Sequence, residues 1–155
     1  MKFQDLFDNW NLKGLKIKAG FAEMEWKPED ADKDAAWELY VELLTRITTQ
    51  ALKPEEGVEK TALESIHSLF KTTRDILKHY GRKCISFSKV AIIVLNQIIR
   101  PFTSKWHKFF ESDAISPEQK AEFRKELAEL QVKLISYTSM LSNIAGVEDI
   151  TLLES

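Results

Sequence analysis

The chain has 155 residues, 44% hydrophobic and 30% charged, with a formal net charge of −2. That length suits one domain able to bury roughly 70% of the surface its unfolded chain exposes. The single cysteine, Cys84, excludes an internal disulfide and a cysteine-based zinc site, and fits a reducing compartment.

The near-neutral total conceals a basic centre. From Lys71 to Lys108, nine basic residues meet one acid, Asp75, a local charge of +8, which leaves 13 basic and 23 acidic residues for the rest. Such polarisation points to a charged partner surface. The opening residues carry two aspartates and no apolar core of export-signal length. The most apolar stretch, 90–99, is about half of the ~20 residues a bilayer crossing needs. The expectation is a cytoplasmic protein without membrane contact.

In chain order, residues 1–29 read as an extended segment or β-hairpin. Leu15, Ile17, Ala19 and Phe21 alternate with polar or small residues, and Ala22, Met24 and Trp26 take the opposite phase beyond Gly20. A lone ribbon is marginal in water, so this segment must pack on the rest or pair with another chain. Trp10, Phe21 and Trp26 are its candidate interface anchors.

Four helical patterns follow. The first spans about 32–52, with Ala36, Trp37, Leu39, Tyr40, Leu43, Leu44, Ile47 and Ala51 on one face, ended by Lys53-Pro54. The second carries Val58, Ala62, Leu63, Ile66, Leu69, Phe70, Thr73, Ile76, Leu77 and Tyr80 up to Gly81. A third starts from Ser86 or Ser88, runs through the apolar stretch, kinks at Pro101 and continues to about Glu111. The last has Ser116 as cap, Pro117 in the first position and Gln119 completing a capping box. Its stripe from Phe123 through Ile144 alternates steps of four and three before Gly146.

Short connections make neighbours antiparallel. The expected fold is all-α: a four-helix up-down-up-down bundle over 30–146 within a single domain 1–155, with an acidic tail at 147–155. In that arrangement His67 should lie near Arg100 and Glu64 near Ser104, while Glu122 and Glu126 approach Arg100 and Lys105.

The segment around the proline reads Arg100-Pro101-Phe102-Thr103-Ser104-Lys105-Trp106-His107. Its arginine and histidine, six residues intervening, resemble the Arg-x(4–6)-His signature of HEPN domains. The resemblance implies a helical bundle acting as a metal-independent ribonuclease in toxin or antiviral systems, with Arg100 and His107 as the catalytic pair. An arginine fork suits phosphate oxygens, and an imidazole titrates near neutrality. Arg74 and His79 give a second match, although cations near a helix C-terminus are also favoured by its dipole.

Glu64-x-x-His67 has a spacing used by di-iron bundles, but no second copy occurs. No metal or cofactor is therefore expected. Lys71, Arg74, Lys78, Arg82, Lys83 and Lys89 suit nucleic acid, an acidic protein surface, or neutralisation by the chain's own acidic helices. The leading expectation is a non-enzymatic interaction or regulatory module that self-associates or docks on a larger protein. A HEPN-like ribonuclease and a non-catalytic nucleic-acid binder are the alternatives.

Overall fold

The computed structural model describes residues 1–12, 14–46, 48–49, 58–112 and 115–153. The chain is mostly helical, and among the described residues no β-strand forms. The N-terminal hairpin expected from alternation is replaced by two short helices, α1 (Phe3–Asn9) and α2 (Ala19–Ala22), joined to a single antiparallel bridge between Lys2 and Glu25. The 3–4 spacing of Phe3, Leu6 and Phe7, all buried, outweighs the period-two pattern further on. Gly20 lies inside α2 and makes no bulge.

Helix α3 (Asp30–Leu44) starts at Glu29, whose amide donates to Asp32 Oδ2 at 2.8 Å. It buries Ala35, Ala36, Leu39, Tyr40 and Leu43. Trp37, expected in the core, is 46% exposed, because it falls outside that buried arc. The helix also stops well short of residue 52. Thr45 Oγ1 donates to Val41 O, and the hydroxyls of Thr48 and Thr49 donate to Leu43 O, so side chains serve carbonyls that helical amides would otherwise take. The expected stop at Lys53-Pro54 lies outside the described residues.

Helix α4 (Glu59–Tyr80) buries the expected stripe from Ala62 to Ile76. Val58, assigned to that stripe, caps the helix and is 60% exposed. Gly81, at φ 64°, ends α4 in backbone that side chains disfavour, and a 3₁₀ turn (Gly81–Cys84) reverses the chain. Neither Ser86 nor Ser88 caps α5 (Ile85–Val94). Ser88 Oγ donates to Cys84 O, while the Phe87 amide donates to Asp32 Oδ1 of α3 at 2.8 Å. The start of α5 is thus capped from a neighbouring helix.

A π turn (Leu95–Ile99) joins α5 to α6 (Arg100–Phe110). Pro101 lacks an amide to donate, and the widened turn just before it accommodates the broken hydrogen-bond ladder. Helix α7 (Pro117–Ala145) follows the sequence closely. Ser116 Oγ accepts from the Gln119 amide at 3.1 Å, Gln119 Oε1 accepts from the Ser116 amide at 2.9 Å, and Gly146 adopts φ 74°, ψ 32°. The Val147 and Gly146 amides then donate to Ser142 O and Asn143 O, closing a Schellman motif.

Helix α3 packs most extensively on α7 and runs antiparallel to α4, with Glu38 bonded to Tyr80 and Arg46 to Ser68 and Thr72. Helix α6 returns along α4 and meets α7 through Trp106, Phe102 and Phe110 around Phe123. The tail folds back on α3: Tyr40 Oη donates to Asp149 Oδ1 and accepts from the Ile150 amide at 2.8 Å. The helical run Glu59–Phe110 includes a window apolar enough to span a bilayer by length and composition; half of it is buried within the fold.

Candidate functional site on the α4–α6 face

On α4, His67, Lys71, Arg74 and Lys78 recur at steps of four and three and are all exposed. On α6, Arg100 and His107 are seven residues apart, which is about two turns, so both lie on one face roughly 10 Å apart along the axis. The antiparallel packing sets these two rows side by side. The imidazoles of His67 and His107 meet edge to face, ring centres 4.6 Å apart, and the Arg100 guanidinium lies 4.7 Å from the centre of the Phe70 ring.

His67 lies within electrostatic reach of Arg100, as the antiparallel count expected to within about one turn. The 3₁₀ reversal and the π turn lie between the two helices, and it is His107 whose ring meets that of His67. Lys105 does reach Glu126, at 2.6 Å.

Arg100 Nε and Nη2 both donate to Asn96 Oδ1 at 3.1 Å, which holds the guanidinium over Phe70 with no carboxylate partner among the described residues. Partial burial pushes the His67 pKa below the ordinary imidazole value, and the nearby positive groups His107, Arg74 and Arg100 push the same way. A groove of about 450 Å³ runs past Glu64, His67, Phe70, Lys71 and Arg74. An adjoining one of about 290 Å³ is lined by Lys60, Glu64, His107 and Glu111. Both are open.

The two Arg–His matches fare differently. Arg100, exposed, and His107, half-buried, share one face of α6 about two turns apart. Arg74 joins the cluster, whereas His79 stacks edge-on to Tyr80, ring centres 4.8 Å apart. Among the described residues no group of three His, Cys, Asp or Glu side chains is placed to hold a metal.

The basic residues also divide. Lys71 pairs with Asp75 on its own helix at 2.7 Å, and Lys89 lies 5.9 and 5.8 Å from the ring centres of Phe3 and Phe21, where it helps seat the N-terminal segment. Arg74, Lys78, Arg82 and Lys83 are exposed, and no ion pair joins them to α3 or α7 among the described residues. Lys105 pairs with Glu126 of α7.

Trp26 is buried edge-on against Phe3, while Phe21 and Trp10 are partly buried on the same core. All three candidate interface anchors are engaged within the chain itself. The Pro101 turn borders a shallow groove of about 300 Å³ between Ile98, Lys105, Glu126 and Lys133.

Sequence reasoning missed His67 as the partner of His107. Its signal was present in the 67-71-74-78 polar row, which needs the helix register to become a site. No protein-family model, curated protein or solved structure matches this chain.

Proposed function

We propose that this protein is a non-enzymatic helical interaction module that takes a phosphate-rich chain, single-stranded RNA being the fitting class, along the α4–α6 face. The observation that carries the reading is the opposition of His67 and His107 beside Arg74 and Arg100, a cationic cluster with no hydrogen-bonded carboxylate among the described residues. Lys78, Arg82 and Lys83 extend the basic surface toward the turn. Half-buried Phe110 lines one of the open grooves and offers an aromatic face beside the basic row, which suits a single-stranded polyanion.

The four long helical segments are read as an up-down-up-down bundle presenting this face, in a cytosolic setting. Self-association or docking on a larger protein would draw on a different surface, where Trp37 and Val41 of α3 are exposed.

A second reading, a HEPN-like metal-independent ribonuclease, is favoured by one observation: Arg100 and His107 project from the same accessible face of α6. Titrating labelled single-stranded RNA at increasing salt tests the first reading. Binding should weaken with a logarithmic slope of about −0.7 per phosphate engaged. Cleavage of that RNA without metal by the wild type, absent in His107→Ala, would favour the enzyme instead.

A further inference from the structure

We propose that His67 and His107 form a proton-linked phosphate site: a phosphate group seats against both imidazoles and the flanking arginines, and about one proton is taken up as it binds. This rests on the RNA-binding reading above and adds to it the chemistry of recognition.

Two imidazoles with ring centres 4.6 Å apart cannot both carry a full charge without mutual repulsion. Their surroundings increase that cost. On the α4 side, Arg74 and Lys71 are cationic, and Asp75 is tied to Lys71. From α6, Arg100 adds a guanidinium whose hydrogen bonds go to the neutral amide of Asn96. Toward the other end, Lys60 and Glu111 line the groove beside His107. Glu64 is the carboxylate shared by both grooves, yet no hydrogen bond joins it to either ring among the described residues.

In the free protein the protonated form of His67 is therefore disfavoured. A phosphodiester placed over the rings supplies the missing negative charge and acceptor oxygens, which favours the doubly charged pair. The diester does not itself titrate near neutrality, so the proton comes from solvent. The three groove carboxylates, Glu64, Asp75 and Glu111, bear on the same equilibrium, which is why variants of the histidines themselves are required.

The test is calorimetric titration of the full chain with short oligouridylate near pH 7, in two buffers of different ionisation enthalpy. Uptake near one proton is expected, with affinity rising up to tenfold per pH unit on acidification. His67→Gln and His107→Gln should each reduce the uptake toward zero; both side chains lie at the surface, and His79→Gln serves as the control. Binding without proton uptake, or uptake that survives in both variants, overturns this inference and leaves the RNA reading standing. No binding at any pH overturns both. Equal uptake with polyglutamate at higher affinity than RNA overturns the phosphate assignment.

Discussion

His67 of α4 and His107 of α6 stand edge to face across an antiparallel helix pair, beside the arginines Arg74 and Arg100. Burial and neighbouring charge hold the His67 pKa below its ordinary value, so the unfolded chain binds the His67 proton more readily than the folded one. This penalty is absent above the unfolded pKa of about 6.5 and develops as pH falls below it. Thermal unfolding should therefore show a lower midpoint at about pH 5.5 than at about pH 7.5. His67→Gln should flatten that difference, and an unchanged pH profile in the variant would contradict the assignment.

Tyr137 is buried in α7 with no hydrogen-bond partner for its hydroxyl among the described residues, and burial alone pushes its phenol pKa above the usual range. Removing an unsatisfied buried hydroxyl relieves its desolvation cost. Tyr137→Phe should be neutral or stabilising by about 1 kcal/mol in urea unfolding. A loss of that size would mean the hydroxyl has a partner.

Asp32 is 1% exposed and ties two helices together, accepting the Glu29 amide through one oxygen and the Phe87 amide through the other. Asp32→Ala leaves the Phe87 amide buried without an acceptor and removes the α3 cap. A cost of about 2–4 kcal/mol is expected by chemical denaturation. Asp32→Asn, which keeps an acceptor, should cost less.

The N-terminal segment is fastened by Gln97 in the π turn, whose side-chain amide accepts from the Lys16 amide at 2.7 Å and donates to Lys16 O at 2.8 Å. Gln97→Ala should cost about 1–3 kcal/mol if both bonds contribute. Hydrogen exchange should rise at Lys16 and its neighbours while the centre of α7 stays protected.

Where local chemistry decides the backbone, the sequence is readable. Ser116, Pro117, Gln119 and Gly146 mark α7 because each satisfies a helix end within a few residues of itself. Long-range partners are not readable in this way. The cap of α5 is a carboxylate on α3, and the end of α3 depends on threonine hydroxyls that a hydrophobic period does not register. The three- and four-residue period counts Trp37 into the core face, although its angular position lies off the buried arc. At the site, Arg100 and His107 were visible as a motif, and the basic row of α4 as a charge pattern. The meeting of His107 with His67 depends on a register set by the 3₁₀ and π turns, which have no distinct sequence signature beyond Gly81 and Pro101.

The most direct test of the central claim is fluorescence anisotropy of a labelled single-stranded RNA against wild type and the Arg74→Ala/Arg100→Ala double variant at low salt. Saturable, salt-sensitive binding by the wild type is expected, weakened at least tenfold in the double variant with its helical circular dichroism unchanged. Equal binding by the two proteins, or none by the wild type, would contradict it.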